Sequence, residues 1–306
     1  MKNGLFRYYA AGISAFVIWG AFAVPLKLLK TYPSSQILEY RIFTALILVS
    51  LFILLFRRAE LKKDLQIFRQ ASKKEQVKLA GLILLSSVLL TSNWFTYIYA
   101  VNHVSLTSAA FAYMVCPLIT AFGGFFILKE HLSRLKLIAL GLAFASIAVL
   151  ATGSLRDVLW SVAIASVFAF YLIIQRAVQT VNKVNMLALN LLISALLMLP
   201  YYLSQPLSVP TEPVFWGTIV LIALIFTLIP LLLNLFALIK LQSSTLGIIM
   251  YVNPIIAFLI AFCFYHEPIR FVQLLAYSLL VLAIVVFNWS VIRGGARSAA
   301  LSPEEK

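Results

Sequence analysis

The chain has 306 residues, of which 63% are hydrophobic and 11% charged, with a mean hydropathy of +1.01. A soluble fold of this size cannot hide that much apolar surface, and the same composition excludes an intrinsically disordered chain. The net charge of +14 raises nucleic acid as a partner, but Lys and Arg fall between apolar runs, where membrane proteins carry orientation signals; no nucleic-acid partner is expected.

The apolar runs are long and continuous, unlike the short alternating segments of an outer-membrane barrel. Ten of them occur, at residues 8–29, 36–56, 77–100, 105–128, 134–151, 157–175, 185–203, 214–238, 243–265 and 270–292. At roughly 20 residues per spanning helix they predict an all-α integral membrane protein with ten transmembrane helices. Lys2 and Arg7 before the first run, with Ala21-Phe22-Ala23 near its end, imitate a signal peptide. Further spans follow at once, so an uncleaved first span is expected.

The connection from Arg57 to Gln76 carries Arg57, Arg58, Lys62, Lys63, Arg69, Lys73 and Lys74. Leu61, Leu65 and Phe68 recur within it at helical spacing, which suits a short helix on an anionic leaflet; a solvated basic loop is the alternative. With the N-terminus in the cytoplasm, 19 of the 24 Lys and Arg lie on the inner side. The other five are Lys27, Lys30, Arg41, Arg156 and Arg270. The bias predicts that both termini are cytoplasmic.

An internal repeat is visible. Pro117 precedes Glu130 by thirteen residues, and Pro254 precedes Glu267 by thirteen, an offset of 137 between copies. At that offset Ala100 meets Ala237, Phe125 meets Phe262, Leu137 meets Leu274, Ala139 meets Ala276 and Leu142 meets Leu279. Five spans per copy is an odd number, so the second copy is inserted upside down. Inverted repeats that rock around a midplane site are a recurring logic of secondary transporters. The predicted organisation is a first repeat over residues 1–152, a second over 153–292, and a cytoplasmic tail over 293–306.

Several local words add to this pattern: Phe16-Val17-Ile18-Trp19-Gly20 with Lys27 beyond it, Ile37-Leu38-Glu39-Tyr40-Arg41, Asn93-Trp94, Tyr99-Ala100-Val101-Asn102, Ser244-Thr245-Leu246-Gly247, Tyr251, Pro254 and Phe264-Tyr265-His266-Glu267. In this order the chain resembles the RarD branch of the EamA-like transporters, in the drug/metabolite transporter superfamily. The resemblance covers nearly the whole chain. It implies ten helices in two EamA-type halves, a bacterial cytoplasmic membrane, and a central cavity lined mainly by helices one, three, four, six, eight and nine. Two departures stand out: His131 and His266 flank the two glutamates, and Lys129-Glu130 stands where a Gly-Glu pair is common. The family is functionally scattered, so no substrate carries over.

Polar groups at membrane depth face protein or a water-filled cavity, which makes them the site candidates. The substrate-binding candidates are Trp19, Asn93, Trp94, Tyr97, Tyr113, Tyr171, Asn234, Tyr251 and Asn253. Asn amides donate and accept, and aromatic rings offer apolar or cation–π walls. The bland reading of each Asn is an interhelical hydrogen bond, and of each ring, packing or interfacial anchoring. Pro25, Pro117, Pro230 and Pro254 fall in or near helix interiors, where they kink a packed bundle or hinge it. Lys27 and Arg41 lie near the external side; they either form a cationic cavity mouth or snorkel to the interface, and snorkelling is favoured. Glu39, two positions from Arg41, does not share its helix face. Glu130 and Glu267 read as helix-start carboxylates, with Ser133 as cap of the fifth helix.

No enzyme activity, cofactor or metal is expected. Cys116 and Cys263 lack any CxxC or zinc spacing, and His103, His131 and His266 stand at helix ends without ligand spacing. GxxxxGK[ST], HExxH and GxSxG are absent. Asn288-Trp289-Ser290 matches a glycosylation sequon but lies in the last span. Gly141 and Ala145 form a small-xxx-small pair that suits internal packing better than a homodimer, although a homodimer stays open. The expected function is secondary transport of a small organic metabolite or drug-like solute by alternating access, with membrane lipid as surroundings. The rival readings are a membrane-embedded enzyme, which needs clustered His, Asp or Glu at a membrane face, and a passive channel, which needs polar stripes or pore symmetry.

Overall fold

The computed structural model describes residues 3–29, 31–103, 106–131, 133–150, 155–204, 208–263 and 271–287. Glu267, His266, Arg270 and the 288–290 sequon lie outside them, as do the side chains of Lys27 and His103. The described residues form helices α1 (Asn3–Gly20), α2 (Ala23–Leu28), α3 (Ser34–Phe56), α4 (Arg58–Gln70), α5 (Lys73–His103), α6 (Leu106–Leu128) and α7 (Arg134–Leu150). They continue as α8 (Leu155–Ala177), α9 (Lys183–Ser204), α10 (Pro213–Ala223), α11 (Ile229–Ala237), α12 (Ser243–Ile249), α13 (Val252–Cys263) and α14 (Phe271–Phe287). Among the described residues, six stretches are long and apolar enough to cross a membrane: Leu5–Leu26, Ser34–Phe56, Lys73–Tyr97, Leu159–Ala177, Lys183–Ser204 and Pro213–Ala237. Tyr113–Leu128 and Ser243–Ile256 are shorter apolar helices. Many large apolar side chains face outward, among them Phe56, Phe126, Phe144 and Leu203, as lipid-facing positions require.

Prolines explain where helices break. Pro25 has no N–H for the Ala21 carbonyl, and Val24 N takes that carbonyl instead at 3.1 Å. Pro254 leaves the Met250 carbonyl to Asn253 N at 3.0 Å, which separates α12 from α13. Between α10 and α11 the chain widens into a π-helical stretch, Leu224–Leu228, just before Pro230. Thr227 Oγ1 donates to the Ile222 carbonyl at 2.9 Å, five residues back, consistent with that wider turn. Pro117 and Pro200 are tolerated inside α6 and α9.

The broadest packing joins helices from residues 1–152 to helices from 153–292: α6 on α8, α7 on α14, α1 on α11 and α13, α5 on α8 and α9, and α3 on α9 and α10. Small residues allow the closest crossings. A Cβ on Gly20 would stand 2.9 Å from the Asn253 carbonyl, and one on Gly247 would stand 3.1 Å from that of Pro117. Gly141 and Ala145 do not serve such a crossing: a Cβ on Gly141 meets nothing within 4 Å, and both residues are exposed. α7 instead turns Ala139, Ala143 and Ser146 inward, so internal packing uses the neighbouring face.

The α4 end of the bundle is laced by polar side chains. The basic connection forms a helix rather than a loop over Arg58–Gln70, with Lys62, Lys63 and Arg69 exposed and Leu61 and Phe68 turned partly inward. Asp64 of α4 accepts from Asn182 N at 3.0 Å and Asn185 Nδ2 at 2.6 Å. An apolar groove of ≈620 Å³ runs between α4 and α3, α5 and α9, lined by Leu61, Leu65, Ile83 and Leu192 among others. Arg176 donates to the Leu238 and Ile239 carbonyls, and Lys183 Nζ to those of Gln175 and Val178. Cations thus close the exposed carbonyls at helix C-termini. Ser133 caps α7 through Lys136 N, at 3.4 Å. Glu130 does not cap α7, the helix that follows it. Its carboxylate accepts from Ser243 N (2.8 Å), Ser243 Oγ (2.9 Å) and Ser244 N (3.0 Å) at the start of α12. At the opposite end, Tyr32 donates to Glu212 at 2.7 Å and Gln36 Nε2 to the Ser208 carbonyl at 2.9 Å. The Tyr32 hydroxyl holds the Glu212 carboxyl below its ordinary range.

Candidate functional site

Arg41 does not snorkel. It lies about 10 Å along α3 from the helix start, at 1.5 Å per residue, and is only 7% exposed. Its Nε donates to Thr227 Oγ1 at 2.7 Å. The guanidinium sits over the Trp94 ring at 4.5 Å and the Phe22 ring at 5.0 Å. Three features turn it inward: Thr227 presents its hydroxyl from the π-helical stretch, Trp94 on α5 supplies a π-face, and Phe22 at the break between α1 and α2 supplies a second. The Tyr97 and Tyr113 hydroxyls lie within electrostatic range of the guanidinium, and their rings meet edge to face at 5.5 Å. Glu39 is buried but does not pair with it; among the described residues the one ion pair is Arg57–Glu60. A buried charge without a counter-ion costs several kcal/mol, whereas a desolvated cation–π contact contributes about 2 kcal/mol.

A second group of rings runs from α1 to α8. Trp19 packs on Phe16 at 5.4 Å and on Phe168 at 6.2 Å, and Phe168 stacks on Tyr171 at 5.8 Å. Trp19 Nε1 donates to the Phe226 carbonyl at 3.1 Å. That carbonyl is the one Pro230 leaves without an intrahelical donor, so α1 completes the broken turn of the helix carrying Thr227.

Several buried polar atoms beyond this have no partner among the described residues. Both amide atoms of Asn234 and of Gln175 are orphaned, as is the hydroxyl of Tyr251, while the Tyr171 hydroxyl lies beside Asn190. Each unmade hydrogen bond costs about 1–3 kcal/mol. Asn234 follows Thr227 by seven residues, about 10 Å along the same span. Asn93 is satisfied in part, donating from Nδ2 to the Ile164 carbonyl of α8 at 3.2 Å.

The predicted candidates therefore separate. Trp94, Tyr97 and Tyr113 gather at Arg41, and Trp19 and Tyr171 join through Phe168. Asn93 bridges α5 to α8, and Asn234 lies deeper on α11. Tyr251 packs in a different cluster, with Met114, Leu118 and Ala143. Asn253 is buried at the crossing of α13 with Gly20. Sequence reasoning missed Phe22, Thr227 and Gln175, and set Arg41 aside; an Arg within an apolar run was itself the available signal.

Comparison with known proteins agrees with this architecture. The EamA-like transporter family matches residues 6–152 and again 155–289. The uncharacterized transporter YojE of Bacillus subtilis is 30% identical over 283 residues, covering 91% of this chain and 92% of its own. Protein RarD of Streptomyces exfoliatus is 30% identical over 298 residues, covering 94% and 90%. Protein RarD of Escherichia coli K12 is 26% identical over 285 residues, covering 92% and 93%. A solved crystal structure at 18% identity superposes with a TM-score of 0.73 over 92% of this chain and 98% of its own, a likeness of fold alone. With both parts of the chain matched and relatives aligned nearly end to end, the protein is a multi-pass membrane transporter and a RarD-like member of the EamA-like transporter family.

Proposed function

We propose that the chain is a secondary transporter that moves a small organic metabolite or drug-like solute across a bacterial cytoplasmic membrane by alternating access. Ten spans form two inverted halves, residues 1–152 and 153–292, with both termini in the cytoplasm. Solute binds between the halves, near Arg41, Trp94, Tyr97, Tyr113, Trp19, Tyr171 and Asn234. The observation that carries this reading is the set of buried polar atoms without partners among the described residues, on helices that pack across the two halves. Such atoms are costly in a merely structural bundle and useful where a polar solute or water completes them. The Glu130 and Asp64 clasps at the α4 end and the Tyr32 and Gln36 clasps at the other end are the contacts that must break for each side to open.

The test compares small molecules inside and outside cells that overexpress the chain, lack it, or carry Tyr97→Phe with Asn234→Ala at matched membrane abundance. The expected result is a solute redistributed by the wild type and not by the variant. Equal redistribution by both overturns the site assignment, and no redistribution in any strain overturns the transport reading.

A further inference from the structure

We infer that the Arg41 guanidinium receives the carboxylate of a monoanionic organic solute. This rests on the carrier reading above and names its substrate class. Arg41 uses Nε on Thr227, and its terminal N–H groups have no hydrogen-bond partner among the described residues. What remains is the end-on fork, two parallel N–H donors matched to the two oxygens of a carboxylate. The side chain is buried and no carboxylate among the described residues pairs with it, so a solute anion is the missing counter-ion.

The charge balance selects a monoanion. Among the described side chains around the fork, Phe22, Trp94, Tyr97, Tyr113 and Thr227 are all uncharged. A dianion such as a phosphate monoester would leave a net negative charge at membrane depth, which is strongly disfavoured. The walls select the rest of the solute. The guanidinium sits over the Phe22 and Trp94 rings, and Tyr97 and Tyr113, edge to face with each other, lie in electrostatic range of it. A body that is apolar or aromatic fits these rings, and tyrosine hydroxyls in electrostatic range of the guanidinium add polar groups to an otherwise apolar wall.

The test is the melting temperature of the purified full chain in detergent. The probes are benzoate, hexanoate and indole-3-acetate, each beside its neutral amide, with benzyl phosphate as the dianion arm. The expected result is that at least one carboxylate raises the wild-type melting temperature more than its amide does, and that Arg41→Gln melts cooperatively without that shift. Arg41→Lys keeps the charge but loses the fork, and an affinity lower by about tenfold or more is expected; it also serves if Arg41→Gln does not fold. The inference is overturned if no carboxylate outperforms its amide, if Arg41→Gln keeps the shift, if Arg41→Lys binds as tightly as the wild type, or if benzyl phosphate outperforms every carboxylate. Should the carboxylates fail while the cell comparison still finds a redistributed neutral or cationic solute, the carrier reading stands and this inference alone falls.

Discussion

Lys129 carries a positive φ of 53°, the only such non-glycine residue among those described. It ends α6 in the left-handed conformation that glycine adopts without penalty. Glycine at this place is what the family pattern led one to expect, and the backbone says why. Lys129→Gly should therefore stabilise the protein by about 0.5–1 kcal/mol, read as a higher melting temperature in detergent; a lower one contradicts the account. Trp19 is the second residue whose role is local and measurable. Trp19→Phe keeps most of the ring but strands the Phe226 carbonyl, at a cost of about 0.5–2 kcal/mol. In a Pro230→Ala background an amide is restored to that carbonyl, so the same Trp19→Phe change should cost much less. Equal costs in both backgrounds would show that the indole N–H is not compensating for the proline.

The Glu130 clasp is the clearest device among the elements. A carboxylate from the end of α6 reaches across to three donors at the start of α12, and Gly124 makes the approach possible, since a Cβ there would stand 2.4 Å from Ser243 Oγ and 2.7 Å from Glu130 Oε2. Glu130→Ala should destabilise the protein by about 1–3 kcal/mol and loosen the α4 end. In a Ser244→Cys reporter, labelling by a maleimide added from the cytoplasmic side should rise several-fold; unchanged labelling would mean that the clasp does not hold this end closed. In the sequence Glu130 reads as a helix-start carboxylate of the adjacent helix. Its true partner is 113 residues away, and nothing local announces that. The start of α5 is a different kind of miss. Ser72 and Glu75 form a capping box, Ser72 N and Oγ donating to Glu75 at 2.9 and 2.8 Å and Glu75 N returning a bond at 3.3 Å. That signal was legible and places the helix start at Lys73, four residues before the apolar run begins.

Across the whole molecule, hydropathy made the helices readable because each apolar run must satisfy its backbone internally. Apart from α4, which forms in the basic connection, the described helical elements lie along the predicted runs, and the prolines mark the breaks in the first, eighth and ninth. The inward turn of Arg41 was not readable: from its place near the helix start, snorkelling and burial look alike, and Thr227, 186 residues away, decides between them. Orientation is a global property with its own check. With Ser72→Cys and Ser208→Cys introduced singly, an impermeant thiol reagent added to intact cells should label the second and not the first; the reverse would invert the assigned topology. The central claim is that solute crosses by way of a binding site exposed alternately to the two sides. The most direct measurement is the flux, into liposomes holding the purified chain, of the solute found in the cell comparison, at rising concentration and with unlabelled solute on the far side. The account predicts flux that saturates and is accelerated by solute on the far side. Flux that rises linearly and ignores solute on the far side would contradict it and make the protein a channel.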